Sequence, residues 1–414
     1  MRIWPVALAA SVIALLAPGT AGAATQTIPF VATGSMGTPR YGDYSASLAD
    51  GRVLVGGGYN GSALKSAETY NPTTGTFSTT GDMSETRNFA TAAPLPDGRV
   101  LVVGGTSDKS AEIFNPATGT FSRAGDTTVE RSNAMAAPLP DGRVLVAGGY
   151  DGSQTTNTAE IFNPKTGTFS PVTAPMTSRR SDAAVAALGD GRVLIAGGYN
   201  GSTDVATAET FNPATNTFST TPGSLAKTHS LTAGASLPDG RGVVIGGQNP
   251  GGDLPTATIF DPASGTFSES GLGQMPFERK ALTAAEVLST GQVLVAGGYY
   301  LGDATKSAVL FGASAAFTTK VKGKRLIVTV ASPGTLSVAG ATAGASAAKK
   351  SKSQLKASSR SGGPGPIKLK LKLRKAAAAK LASKGKLKLR AAISFSPDAG
   401  FRRTQTVKLK LKRR

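Results

Sequence analysis

Five arginines and one histidine recur at a single aligned position of this chain: Arg40, Arg87, Arg131, Arg180, His229 and Arg279. A second aligned position, further along each stretch, carries Glu68, Glu112, Glu160 and Glu209, then Thr258 and Val309. Guanidinium and carboxylate in such register offer a charge-assisted hydrogen-bonded pair. In the first four stretches every Arg has its Glu. The fifth loses both members, and the sixth keeps Arg279 opposite Val309. The plain reading is a ring of structural bridges from Arg40, Arg87, Arg131 and Arg180 to the four glutamates. The sharper reading is that Arg279 and His229, lacking carboxylates, are free to meet a ligand. Finding Arg279 paired elsewhere and His229 buried would remove it.

Other chemistry is sparse. One His and no Cys rule out an ordinary His/Cys zinc site. His229 has no marked second member of a triad. The paired glycines are followed by no helix, so they do not read as phosphate-binding loops. No catalytic residue, metal or cofactor is expected.

A repeat positions these residues. Six hydrophobic runs end in glycine pairs, Gly57-Gly58, Gly104-Gly105, Gly148-Gly149, Gly197-Gly198, Gly246-Gly247 and Gly297-Gly298. Their spacings are 47, 44, 49, 49 and 51 residues. Units of that length cannot bury a core alone and must share one. Each unit reads as four short strands: a small-residue run such as Ala90–Ala93, a run such as Arg99–Val103 ending at the glycines, a run such as Ala111–Phe114, and a run opening at Thr120-Phe121. Asp-Gly pairs such as Asp97-Gly98 signal two-residue hairpins with primed turns. Four-stranded antiparallel sheets at this period make a propeller.

The units resemble Kelch repeats. The third strands carry Tyr70, Phe114, Phe162, Phe211, Phe260 and Phe311; the fourth carry Phe77, Phe121, Phe169, Phe218, Phe267 and Phe317, where Kelch repeats usually have Trp. The resemblance covers roughly residues 28–311 and implies an all-β, six-bladed propeller. Kelch repeats commonly place Arg at the aligned position, which the resemblance assigns to a structural bridge. Some secreted Kelch-type propellers carry a copper-radical oxidase site, which needs two His and a Cys cross-linked to Tyr. One His and no Cys exclude it here. Others perform sialic-acid mutarotation, and nothing in the sequence marks that chemistry specifically.

Phe30 to Met36 repeats the spacing of Phe77 to Met83. The N-terminal stretch therefore reads as a fourth strand that closes the ring on the last blade, which removes both open edges. Phe317 is a competing candidate for that strand.

With 414 residues, 52 glycines and 24 prolines, the chain suits a turn-rich all-β protein with room for a second domain. Residues 1–24 read as a secretory signal peptide: Arg2, the apolar run Val6 to Ala17, and Ala21-Gly22-Ala23 for cleavage. No Cys follows, so a lipid anchor is excluded. The propeller is expected over 25–316, soluble, exported and monomeric.

Residues 320–414 hold 26 basic residues against the single acid Asp398, leaving 19 basic and 24 acidic residues before them. A slightly acidic propeller is thus followed by an intensely basic segment. Ile367–Leu373, Lys386–Arg390 and Val407–Lys412 alternate apolar and basic residues strictly, which puts Leu on one sheet face and Lys on the other. Residues 317–414 therefore read as a small β-sandwich, loosely resembling lysine-rich immunoglobulin-like modules of secreted proteins. A disordered loop is expected near 341–366 and a short helix over Lys375 to Ser383. The basic face serves either to block edge-to-edge strand pairing or to attach to an anionic cell-wall polymer or membrane surface. Nucleic acid is the weaker partner, because the segment has few aromatics for base stacking.

The expected function is that of an exported, non-catalytic binding or scaffold protein. Its propeller face, built from the loops 59–66, 150–158, 199–206, 248–256 and 299–306, takes a glycan or a protein. Tyr59, Tyr150, Tyr199 and Tyr299 are the stacking candidates. The alternative is a carbohydrate-active, mutarotase-like enzyme using Arg279, His229 and nearby Glu278 or Glu85.

Overall fold

The computed structural model describes residues 28–276, 279–280, 285–315, 317–322, 325–330, 332, 334–340, 355–384, 386–397 and 400–412. The expected signal segment, residues 1–24, lies outside the described residues. Six four-stranded antiparallel sheets form the blades of a propeller. Blade one runs outward through Tyr41–Ser47, Val53–Tyr59, Ala67–Asn71 and Thr76–Thr79. The innermost strands of the next five are Thr91–Pro94, Met135–Pro138, Ala184–Ala187, Ala233–Ser236 and Ala285–Val287. Each innermost strand neighbours the next, and the sixth returns to the first, so the ring is closed.

Closure uses the N-terminal strand. Phe30–Ala32 pairs antiparallel with Ala308–Phe311, matching Phe30 to Phe311 and Ala32 to Val309. The two rings stack with centroids 4.5 Å apart. This repeats the packing of Phe114 on Phe121 at 4.8 Å and of Tyr70 on Phe77 at 4.9 Å. Phe317, the competing candidate, instead opens the strand Phe317–Lys322 of the second domain. Joining the two ends of the repeat array in one blade closes the ring, and only the short outermost strand of each blade remains as an edge.

The Asp-Gly turns differ from expectation. Gly98 has φ +86° while Asp97 is not among the residues with positive φ. Gly98 N donates to Leu95 O (3.0 Å) and Leu95 N to Arg99 O (2.8 Å). That is a three-residue loop, a type I turn closed by a left-handed glycine. Pro96 holds the φ near −65° that the first central residue of that turn needs, which a primed turn excludes.

The glycine pairs join blades. The second glycine N–H donates to the carbonyl of the aligned residue in the following blade: Gly58 to Arg87, Gly105 to Arg131, Gly149 to Arg180, Gly198 to His229, Gly247 to Arg279 and Gly298 to Arg40, at 2.6–3.1 Å. The first glycine makes room for that carbonyl. A Cβ built on Gly104 would lie 1.7 Å from Arg131 O.

The second domain is a β-sandwich. One sheet holds Phe317–Lys322, Arg325–Val330 and Gly365–Lys370; the other holds Ser358–Gly362, Gly334–Gly340, Lys386–Pro397 and Arg403–Lys412. Leucines of both sheets share one core with Ala377 and Leu381 of the helix Lys375–Lys384. Ser358–Gly362 corrects the expected loop: it pairs with the strand from Gly334 by backbone hydrogen bonds, which need no apolar alternation to form. Residues 341–354 of that expected loop lie outside the described residues. Phe401 of this domain is fully buried in the core of blades five and six, 5.3 Å from Phe311.

Candidate binding face

The four Arg–Glu pairs form as deeply buried bridges. Nη1 of Arg40, Arg87, Arg131 and Arg180 donates to the carbonyl of the first glycine of its own blade, at 2.8, 2.9, 2.7 and 2.9 Å. The same guanidinium meets Glu68, Glu112, Glu160 or Glu209 at 3.1, 3.1, 2.9 and 3.1 Å. The second carboxylate oxygen accepts a loop N–H from Gly37, Ser84, Thr128 or Thr177. Each pair thus ties the loop, the second-strand end and the third strand of one blade. None of the eight residues reaches solvent.

His229 and Arg279 lie in the same buried layer, which corrects the expectation that they are free to meet a ligand on the face. Both are 0 % exposed. His229 Nδ1 lies 3.2 Å from Gly246 O and replaces the Arg Nη1 contact with a shorter side chain. Burial pushes its pKa down, against the opposing pull of the Gly246 carbonyl, so the ring is neutral at pH 7. Arg279 Nη1 donates to Gly297 O (3.2 Å) and Ser307 O (3.1 Å), leaving Nε and Nη2 unbonded. Two replacements coincide in this blade. Val309 removes the carboxylate, and Pro276, at the place of Thr177 in blade four, removes the N–H that carboxylate would accept. Asp43 of blade one acts on Arg279 electrostatically, with no hydrogen bond or ion pair between the two. Burial pushes Arg279 down to about 10, and the Asp43 carboxylate opposes it. Asp43 itself is pushed up to about 8 by burial, against the pull of Arg40 and Arg279.

The solvent-facing layer is built from positions next to the aligned arginines and the glycine pairs. Two residues after the aligned position, Gly42, Phe89, Asn133, Asp182 and Leu231 all have φ between 50° and 63°. Backbone hydrogen bonds link them around the ring: Phe89 N to Gly42 O, Asn133 N to Phe89 O and Asp182 N to Asn133 O. Left-handed Phe and Leu are costly, and such strain gathers at ligand-facing positions. Gly42, Asn133 and Asp182 are residue types that adopt this conformation readily, whereas Phe89 and Leu231 carry no such signal in the sequence.

Tyr59, Tyr150, Tyr199 and Tyr299 each follow a glycine pair. They divide into two groups. Tyr59 and Tyr299 pack on Tyr41, with centroids 5.5 and 5.1 Å away, and Phe89 adds an edge contact at 6.1 Å. Lys280 Nζ lies 5.7 Å from the Tyr299 ring centre. Tyr150 and Tyr199 stand exposed, at 44 % and 37 %. Tyr150 borders two clefts. One, of about 690 Å³, is lined by Glu85, Asn88, Phe89 and Glu130; the other, of about 500 Å³, by Asn133, Gln154, Arg179, Asp182 and Tyr199. Asn133 Nδ2 and Ser181 Oγ both donate to Asp182, whose pKa burial raises. Glu278 lies outside the described residues.

The central channel, about 250 Å³, is walled by small residues of all six innermost strands. Its carboxylate is Glu286, which accepts from Ser47 Oγ at 2.6 Å. Burial raises Glu286 from an ordinary 4.5 to about 7. The folded protein thus holds a proton there that the unfolded chain releases. That contribution to stability is full below pH 4.5 and is lost as pH rises through 7. Asp43 acts in the same direction. Glu286→Gln keeps an acceptor for Ser47 and cannot titrate. The expected outcome is a melting temperature that falls from pH 4.5 to pH 8 in the parent and falls less in the variant. Parallel pH profiles would assign the slope elsewhere.

Among the described residues, no three His, Cys, Asp or Glu side chains gather as a metal centre, and no helix is long and apolar enough to cross a membrane.

Residues 40–84, 133–176 and 179–223 match the Kelch motif. These stretches cover blades one, three and four, each of which carries an intact Arg–Glu pair. A solved structure titled "Structure of YjhT" is similar, with a TM-score of 0.56 and 14 % identity, covering 67 % of this chain and 96 % of that one. In all, 508 solved chains match, so likeness of fold alone selects no activity. No curated protein matches the chain.

Proposed function

We propose that this chain, a Kelch-repeat β-propeller, is an exported carbohydrate-binding protein whose basic sandwich associates with anionic polymers of the cell envelope. The observation that carries the first part is Tyr150, 44 % exposed and a shared wall of two adjoining clefts. A sugar ring stacks on a phenol face through its C–H groups, and the polar groups beside it receive the hydroxyls. Glu85, Glu130, Asn133 and Asp182 supply acceptors on both sides of the ring. A chain of two or more sugars laid across Tyr150 engages both clefts at once. Backbone strain in the left-handed ring and the inter-blade hydrogen bonds hold the clefts ready before binding, which lowers the cost of association.

The test is a glycan array with the parent and with Tyr150→Ala. The expected result is salt-resistant binding that drops at least tenfold in the variant while the melting temperature stays unchanged. Protein-only binding partners, or glycan binding indifferent to Tyr150, would overturn the reading. A second reading, sugar conversion in place of binding, rests on Glu85 and Glu130, which line one cleft together. Proton NMR of the captured sugar with and without the protein separates the two, because only conversion changes the anomeric signals over time.

A further inference from the structure

The propeller and the sandwich treat their cations in opposite ways. On the propeller, the turn arginines Arg52, Arg99, Arg143, Arg192 and Arg241 each meet an Asp of the same turn at 2.6–2.8 Å. In the sandwich no described cation has an ion pair, and the segment's one acid, Asp398, lies outside the described residues. The strands Lys386–Pro397 and Arg403–Lys412 even set cations directly opposite one another: Lys386 faces Lys412, Lys388 faces Lys410 and Arg390 faces Lys408. All six are exposed, and Leu387, Leu389, Leu409 and Leu411 between them are buried. Directly opposed like charges destabilise a ladder. One charge on an edge is enough to block strand pairing, so three successive opposed pairs exceed what that role requires.

We infer that this two-stranded ladder is a binding track for a linear phosphodiester polymer without bases, of the polyol-phosphate kind. The inference rests on the envelope-association part of the function proposed above and names the polymer. Cations recur every second residue, about 7 Å apart along each strand, in two rows about 5 Å apart. A narrow double row of that kind follows one extended polyanion. It is poorly suited to a bilayer, because the described sandwich exposes no large apolar side chain to insert. It is equally poorly suited to single-stranded nucleic acid, which needs aromatic platforms, since Phe395 and Phe401 are both fully buried.

The experiment uses the full chain. Binding to synthetic poly(glycerol phosphate), to a single-stranded oligonucleotide and to anionic phospholipid vesicles is measured at about 50 and about 200 mM salt. Six neutralised phosphates give a log–log salt slope of about −4, a loss of roughly 300-fold over that range. Lys388→Gln with Lys410→Gln removes the central pair and is expected to bring the slope to about −3. The control, Lys375→Gln with Lys384→Gln on the helix, removes the same charge away from the ladder and is expected to leave it near −4. Removing the central repulsion is also expected to raise the melting temperature of the ladder variant. Equal slopes for the two variants would overturn the ladder. Tighter binding to the oligonucleotide or to vesicles than to the polymer would overturn the polymer class while leaving polyanion association standing. No binding to any of the three would overturn both.

Discussion

Gly104→Ala is expected to unfold this protein at temperatures where Gly167→Ala leaves it intact. The two glycines have almost the same backbone, φ +72° and +71°. An alanine at either costs about 1–2 kcal/mol for the left-handed conformation alone. Gly167 has nothing within 4 Å of the added Cβ, whereas at Gly104 the Arg131 carbonyl oxygen lies 1.7 Å away. That oxygen belongs to the next blade and accepts the Gly105 N–H at 3.1 Å. It cannot retreat without opening the seam between blades two and three. The expected loss at Gly104 is about 5 kcal/mol or more, in the range reserved for named structural failures. Denaturant melts of both variants measure the difference directly. Equal losses would mean that the seam is soft and that the glycine pairs serve backbone conformation alone.

Glu209→Val is expected to cost about 3–5 kcal/mol, because it leaves the buried Arg180 guanidinium without its carboxylate. The substitution copies blade six, where Val309 faces Arg279, yet the surroundings differ. In blade four Glu209 also accepts the N–H groups of Thr177 (2.7 Å) and Ser178 (3.2 Å), and both would be orphaned. In blade six Pro276 stands at the place of Thr177, so no N–H waits there for a carboxylate. Adding Arg180→Met to Glu209→Val removes the second buried charge and is expected to recover much of the loss, although not the two loop N–H groups. Thermal melts of the single and double variants decide the matter. A single variant within about 0.5 kcal/mol of the parent would show that Arg180 finds another partner and that the pair holds nothing together.

Period and spacing made the blades legible because each blade is a local object. Its strands, turns and the Phe114–Phe121 type of contact all fall within one repeat. The closing strand was legible for the same reason, since Phe30 to Met36 copies a spacing found elsewhere in the chain. The Arg–Glu pairs were visible as aligned positions, although not their burial. What escaped the sequence depends on neighbours from other repeats. The turn type is a local exception: only the glycine of each Asp-Gly pair is left-handed, and the same three-residue loop forms at Ala49-Asp50-Gly51 without a proline. Ser358–Gly362 has no apolar pattern and became a strand only because the strand from Gly334 offered it hydrogen bonds. The exposed and packed tyrosines share one sequence position, and only Tyr41 and Phe89 separate Tyr59 and Tyr299 from Tyr150 and Tyr199.

By itself the sequence determined a six-bladed all-β ring, its closure through the N-terminal strand and a basic domain after it, because strand periodicity and repeat length are local properties. The tertiary structure alone decided which polar residues face water. Ring closure stacks each blade's glycine pair on the next blade's backbone, which buries the aligned arginines and His229 beneath the face. The same stacking leaves the residues beside them, Tyr150, Asn133 and Asp182 among them, lining the clefts of the solvent-facing layer.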